Sequence, residues 1–312
     1  MRVLAIGECM AELAPAAELD DYHLGFAGDT FNTAWYLAQI RPDMDVSFFT
    51  AVGTDPLSYQ MREAFATSGI DSSYVLTVPD STVGLYMISL ENGERSFSYW
   101  RAQSAARQLA TDPQLLARAM TEVDLIYFSG ITLAILDVTS REILLDALRV
   151  ARASGKVIAF DPNLRPRLWS GTSEMTATIM QGAAVSDIAL PSFEDEAEWF
   201  GDSDPIATVS RYALARATTI VVKNGADAVH FRHGDMSGVM PVPPLNRVID
   251  TTAAGDSFNA GILAGIAENA PLNDSITLAC RLAGAVVQGK GALVPIDPTL
   301  FEAVSVKGNE NA

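Results

Sequence analysis

The stretch Asp250-Thr-Thr-Ala-Ala-Gly-Asp-Ser-Phe258 sets two carboxylates six residues apart, with small residues between them and an apolar helical pattern behind. A helix start carries unpaired backbone N–H groups and partial positive charge, so it receives anions. Ala253, Ala254 and Gly255 would leave those amides open to a phosphate. Asp256 would repel a phosphate rather than bind one. Its chemistry suits a general base that takes a proton from a hydroxyl attacking phosphorus, while the amides stabilise the charge that develops during transfer. The competing reading is that Asp256 only caps the helix, a common use of aspartate.

Three further motifs carry polar groups at places where a ligand would meet them. Gly28-Asp-Thr-Phe-Asn32 opens a helix and offers Asp29 and Asn32 to sugar hydroxyls, unless Asp29 or Thr30 is simply a cap. Asp161-Pro-Asn-Leu-Arg165 follows a strand directly and puts Asn163 and Arg165 at a carboxyl edge. Lys223-Asn-Gly-Ala-Asp227 follows another strand, with Gly225 in a turn.

The elements that must position these motifs read as alternating apolar strands and amphipathic helices. Strands are expected at 3–7, 46–51, 125–129, 157–161, 188–190 and 219–223. Helices are expected at 30–40, 56–68, 140–153, 173–182, 193–200, 204–215, 255–269 and 273–290. Continuous apolar strands separated by helices predict an α/β fold: a doubly wound, mostly parallel sheet with helices on both faces. Such sheets bind ligands at the carboxyl ends of their strands. Two segments depart from the rhythm. Residues 10–26 are not helical, and 82–101 alternate about an Asn92-Gly93 turn like a β-hairpin. Together they predict a small sheet beside the main one, within a single domain over 1–312. The hairpin's aromatic and cationic end, Tyr99-Trp-Arg101, suits a cover for substrate.

The chain has 312 residues, 49% of them apolar and 19% charged, enough for a full core. A net charge of −17 argues against nucleic acid and anionic membrane as partners. No apolar run reaches the roughly 20 residues of a membrane span, and the first residues lack a signal-peptide layout. A cytoplasmic location is expected. Cys9 and Cys280 read as buried thiols, and His23, His230 and His233 do not form a metal set. A nicotinamide-binding first turn is absent, because Ile6-Gly-Glu-Cys-Met lacks GxGxxG.

The four motifs in this order resemble the ribokinase-like, phosphofructokinase-B type carbohydrate kinases over essentially the whole chain. Asp250–Phe258 matches that family's carboxyl-terminal signature and Gly28–Asn32 its amino-terminal one. "IGECMAEL" at 6–13, "GLY" at 84–86, "YWR" at 99–101, "SGITLAIL" at 129–136 and "DPNLRPRLW" at 161–169 are most similar to the branch acting on 2-keto-3-deoxygluconate. The resemblance implies phosphorylation of that keto-acid at its terminal hydroxyl. Another sugar kinase of the family, fructokinase-like, or a non-catalytic sugar-binding relative are the alternatives.

It further implies that Gly28, Asp29, Asn32, Tyr86, Tyr99, Arg101, Arg165, Asp250 and Asp256 contact the sugar. Asn163, Arg165, Lys223, Gly225, Ala226, Asp227, Gly255 and Gly289 would serve ATP. Ala253, Ala254 and Gly255 would form the anion hole around the catalytic Asp256. Asp250 and Thr252 would help hold a monovalent cation, K+, and Glu196 would help place Mg2+. The segments 10–26 and 82–101 would be a lid, whose edge can pair with a second subunit. Two departures stand out: Ala27 replaces a glycine, so the hinge is expected to differ, and Phe193 stands where relatives carry the asparagine of Asn-x-x-Glu. Arg101 and Arg165 answer the charge problem, since guanidinium matches a substrate carboxylate.

Overall fold

The computed structural model describes residues 1–16, 21–91, 94–297 and 301. Its centre is an eight-stranded sheet. From one edge the order is Met236–Met240, Val229–His233, Thr219–Val222, Ile188–Ala189, Val157–Asp161, Leu125–Ser129, Arg2–Ile6 and Asp45–Phe49. The strands from Thr219–Val222 onward run parallel, and the first two add an antiparallel edge. Side chains alternate between two cores. Val3, Ala5, Leu125 and Tyr127 pack into one; Leu4, Ile6, Ile126 and Phe128 pack into the other. That alternation explains why these strands read as unbroken apolar runs: both faces are covered.

Residues 10–26 and the expected hairpin build a separate four-stranded sheet. Its order is Tyr22–Ala27, Met10–Pro15, Gly84–Glu91, Glu94–Trp100. Met10–Pro15 pairs in parallel with Gly84–Glu91, and the other pairs are antiparallel. Asn92 and Gly93 of the expected turn, and residues 17–20, lie outside the described residues.

The expected α/β architecture is the one observed, with differences at the margins. Helices Pro113–Thr121 and Gly130–Ile135 and the two antiparallel edge strands were not anticipated. The last expected helix stops at Val286, ahead of a turn in which Gly291 takes φ +95°, a conformation glycine adopts without penalty. Both cysteines are free and buried. Among the described residues no helix is long and apolar enough to cross a membrane.

Candidate active site

Helix Ala254–Ala267 begins without a side-chain cap. Ala253 precedes it with φ 59°, in the left-handed region that a residue with a Cβ enters only at some cost. Asp256 is therefore the third helical residue, and the capping reading of it is incorrect. Helices Pro56–Thr67 and Pro113–Thr121, by contrast, are capped by Asp55 and Asp112, each accepting from two backbone N–H groups. Asp256 looks across to the other motif helix, Asp29–Ile40. Asn32 Nδ2 donates to Asp256 Oδ2 at 2.8 Å, and Thr33 Oγ1 donates to the Asp256 carbonyl at 3.1 Å. Burial, reinforced by the negative charge of Asp29, pushes Asp256 up to about 8, while the Asn32 hydrogen bond pulls it down. Asp256 keeps some solvent access, which softens the rise.

Behind this pair lies a buried polar network. Lys223 Nζ donates to Asp161 Oδ2 (2.9 Å) and Asn259 Oδ1 (3.1 Å), and Asn259 Nδ2 donates to Asp161 Oδ2 (2.6 Å) and to the Tyr127 hydroxyl (3.1 Å). Asp161 ends one strand and Lys223 follows another, so both arrive at carboxyl edges of the sheet. The Cβ that Gly255 lacks would lie 3.7 Å from the Lys223 ammonium, so a cation borders the helix start. Asn163, at φ 33°, donates its amide to Asp29 Oδ2 at 2.8 Å, and burial raises Asp29 above the usual carboxylate range.

The small sheet supplies the opposite wall. Met10, Ala27, Tyr86 and Ile88 pack with Ala292 and touch Ala253. A cavity of about 380 Å³ opens there, lined by Glu12, His23, Gly25, Ile88 and the 290–293 loop among others. Tyr36 pins that loop: its hydroxyl donates to Ala292 O (2.8 Å) and accepts from Val294 N (2.9 Å). The Tyr86 hydroxyl donates to Glu12. Tyr99 packs beside Tyr86 with ring centroids 5.9 Å apart and stays half exposed. Glu12, Tyr36 and Asn259 were not singled out from the sequence. A carboxylate alternating with apolar residues in Met10–Leu13 is the one local signal, and it pointed at Glu12.

Several expected site residues stand elsewhere. Arg101 does not present an unengaged guanidinium: Nη2 pairs with the buried Glu8 carboxylate. Arg165 is half exposed, donating to the Leu164 carbonyl and lying 3.8 Å from Asp195. Each of the two arginines expected to meet a substrate carboxylate thus already has a protein partner. Gly225, Ala226 and Asp227 form an exposed turn. Glu196 is neither a solvated helix start nor turned toward the cleft. Its carboxylate accepts from Arg211 Nη2 (2.6 Å) and the Tyr212 hydroxyl (2.9 Å), so its expected part in placing Mg2+ is withdrawn. Asp250 Oδ1 accepts from Thr252 N and Oγ1, and Oδ2 from Gly291 N at 2.6 Å. Gly289 packs against Val294. Among the described residues no group of three or more His, Cys, Asp and Glu side chains is set to hold a metal. Ala27, which stands where relatives carry glycine, does not take a positive φ and adds no backbone strain at the hinge.

The model of the pfkB family of carbohydrate kinases matches residues 1–299. The chain belongs to that family. Among relatives, the 2-dehydro-3-deoxygluconokinase of Escherichia coli is 39% identical over 308 residues, covering 94% of this chain and 97% of that protein. The PfkB protein of Polaromonas sp. JS666 superposes with a TM-score of 0.81 at 26% identity, covering 92% and 96% of the two chains. The aminoimidazole riboside kinase of Salmonella enterica, crystallised with aminoimidazole riboside and an ATP analogue, shares the fold with a TM-score of 0.82 at 23% identity, covering 98% and 100%. In family terms, the uncapped helix start beside Asp256 lies in the stretch that resembles the carboxyl-terminal kinase signature.

Proposed function

We propose that the protein transfers the γ-phosphoryl group of ATP to the terminal hydroxyl of 2-keto-3-deoxygluconate (2-dehydro-3-deoxygluconate). One observation carries the chemistry: a carboxylate held by Asn32 at an uncapped helix start, with the Lys223 ammonium alongside. Asp256 takes the hydroxyl proton as the sugar oxygen bonds to phosphorus. The bond from phosphorus to the bridging oxygen breaks, and ADP leaves with its electron pair. The Ala253–Gly255 backbone and Lys223 stabilise the charge on the transferring group. Mg2+ supplies charge neutralisation on the ATP phosphates. It would keep several waters and need few protein carboxylates. Asp250, Thr252 and the 289–291 turn would hold a monovalent cation through oxygen donors.

The substrate assignment draws on the Escherichia coli relative, and Gly28, Asp29, Asn32, Tyr86, Tyr99 and Arg101 are the residues proposed to meet the sugar. In the single domain we read here, the small sheet is a lid: Glu12, Gly25 and Ile88 of it line the cavity, and closing it keeps water from the phosphoryl group. The Arg101–Glu8 pair favours a second reading, a neutral sugar, because the guanidinium already has a counter-charge. A coupled assay of ADP release against keto-acid sugars and neutral hexoses separates the two. Turnover confined to neutral sugars overturns the keto-acid assignment, and no turnover with any sugar overturns the kinase reading.

A further inference from the structure

The chain passes between the small sheet and the rest of the molecule at four places: 7–9, 28, 82–84 and 101–104. All four meet at one residue, Glu8. Its side chain has no solvent exposure. Arg101 Nη2 and the Ser104 hydroxyl donate to its two carboxylate oxygens. A Cβ on Gly84 would lie 2.9 Å from Glu8 Oε1, and one on Gly28 would lie 2.1 Å from the Glu8 carbonyl oxygen. Only glycine leaves room for these approaches. Ser104 is tied in turn to the 82–84 crossing, where Ala105 N donates to Thr82 O at 2.8 Å.

We propose that Glu8 is the positioning residue of the lid hinge, fixing Arg101 so that its remaining donors face the sugar. A buried carboxylate costs several kcal/mol unless it is paired, so the pair holds the crossings of the lid in one arrangement. Guanidinium has five donors. Arg101 gives Nη2 to Glu8, and its Nε is buried without a partner. Glu8 thus fixes the guanidinium without using up its donors, and the ionic contact to a substrate carboxylate is made by a side chain whose freedom has already been removed. This role rests on the keto-acid reading above.

The test is a double-mutant cycle on the full-length enzyme, joining Glu8→Gln with Arg101→Ala. Glu8→Gln should raise the keto-acid KM by about tenfold, in the range of coupling between contacting residues, with kcat and the ATP KM within about twofold. In the Arg101→Ala background the same substitution should change KM by less than about twofold. Equal factors in both backgrounds, or no change in either, overturn the proposal. If Glu8→Gln fails to fold, Ser104→Ala removes the other donor to Glu8, and its smaller KM effect should likewise vanish without Arg101. A protein that turns over only neutral sugars marks failure of the substrate reading instead, and the cycle run on that sugar still judges Glu8 by the same outcomes.

Discussion

Asp256 and Glu196 are both carboxylates sunk among packed atoms, and burial pushes both upward, to about 8 and about 7. Their surroundings are opposite. Glu196 accepts from Arg211 and Tyr212, and Arg211 also binds Asp202 and lies over the Phe200 ring. Asp256 has a neutral amide, Asn32, as its hydrogen-bond partner, and stands where the helix opens. The one is sealed into the helix packing around Arg211. The other is held in place yet remains able to take a proton. Burial alone does not separate a structural acid from a catalytic one; the direct partner does.

The most severe way to break this comparison is Asp256→Asn. Asparagine keeps the size but cannot accept the proton, so kcat should fall by roughly 10²–10⁴, while sugar and ATP binding stay within a few-fold. Single-turnover kinetics with a melting curve check it; unchanged turnover would remove Asp256 from the mechanism.

Arg211→Met should act the other way round. It strands Glu196 and should cost about 3 kcal/mol of stability while leaving kcat intact in the folded fraction. The loss should be level below about pH 7, where Glu196 is protonated even beside Arg211, and should grow as pH rises above it, where the stranded carboxyl resists ionisation. Urea denaturation at two pH values measures both. A loss of kcat without loss of stability would return Glu196 to the active site.

A smaller effect is expected on stability against pH. The folded protein prefers the acid form of Asp256, so the penalty for ionising it is absent below about pH 4, builds as pH rises, and is complete above about 8. The melting temperature of the D256N protein relative to wild type should therefore climb between about pH 5 and about pH 9. A constant difference would show that Asp256 is ionised throughout.

The finest test uses the acid limb of kcat/KM. The limb should lie near the raised Asp256 value of about 8, with activity growing as the base loses its proton. Asn32→Ala removes a hydrogen bond to the carboxylate and should move the limb to higher pH. A limb that stays in place would mean that Asn32 positions Asp256 without tuning it.

Much of this site was legible in the sequence because its signals are local. Small residues before Asp256 and a helical pattern after it needed no partner to be read, and runs such as Leu-Ile-Tyr-Phe can only be covered strands. Helix Pro113–Thr121 carries local signals too, Asp112 as cap and Pro113 in the first turn. What the sequence did not disclose are pairings across the fold. Arg101 reads as a partner for a substrate carboxylate, because its own partner Glu8 is 93 positions away. Glu196 looked like an acidic helix start because Arg211 and Tyr212 sit on the next helix. Tyr36 looked like one more core aromatic, and its partner Ala292 is 256 positions off. No periodicity carries such information.

Helix Asp29–Ile40 carries two of these contacts on a single turn. Asn32 holds Asp256, and Tyr36 pins the loop that walls the cavity. They are about 6 Å apart along the axis at 1.5 Å per residue. That turn is a fixed gauge between the Asp256 carboxylate and the wall of the cavity. One residue inserted within it would swing Tyr36 by about 100° relative to Asn32, losing either the hold on Asp256 or the wall. Point changes can be absorbed around the pocket; a change of length here cannot.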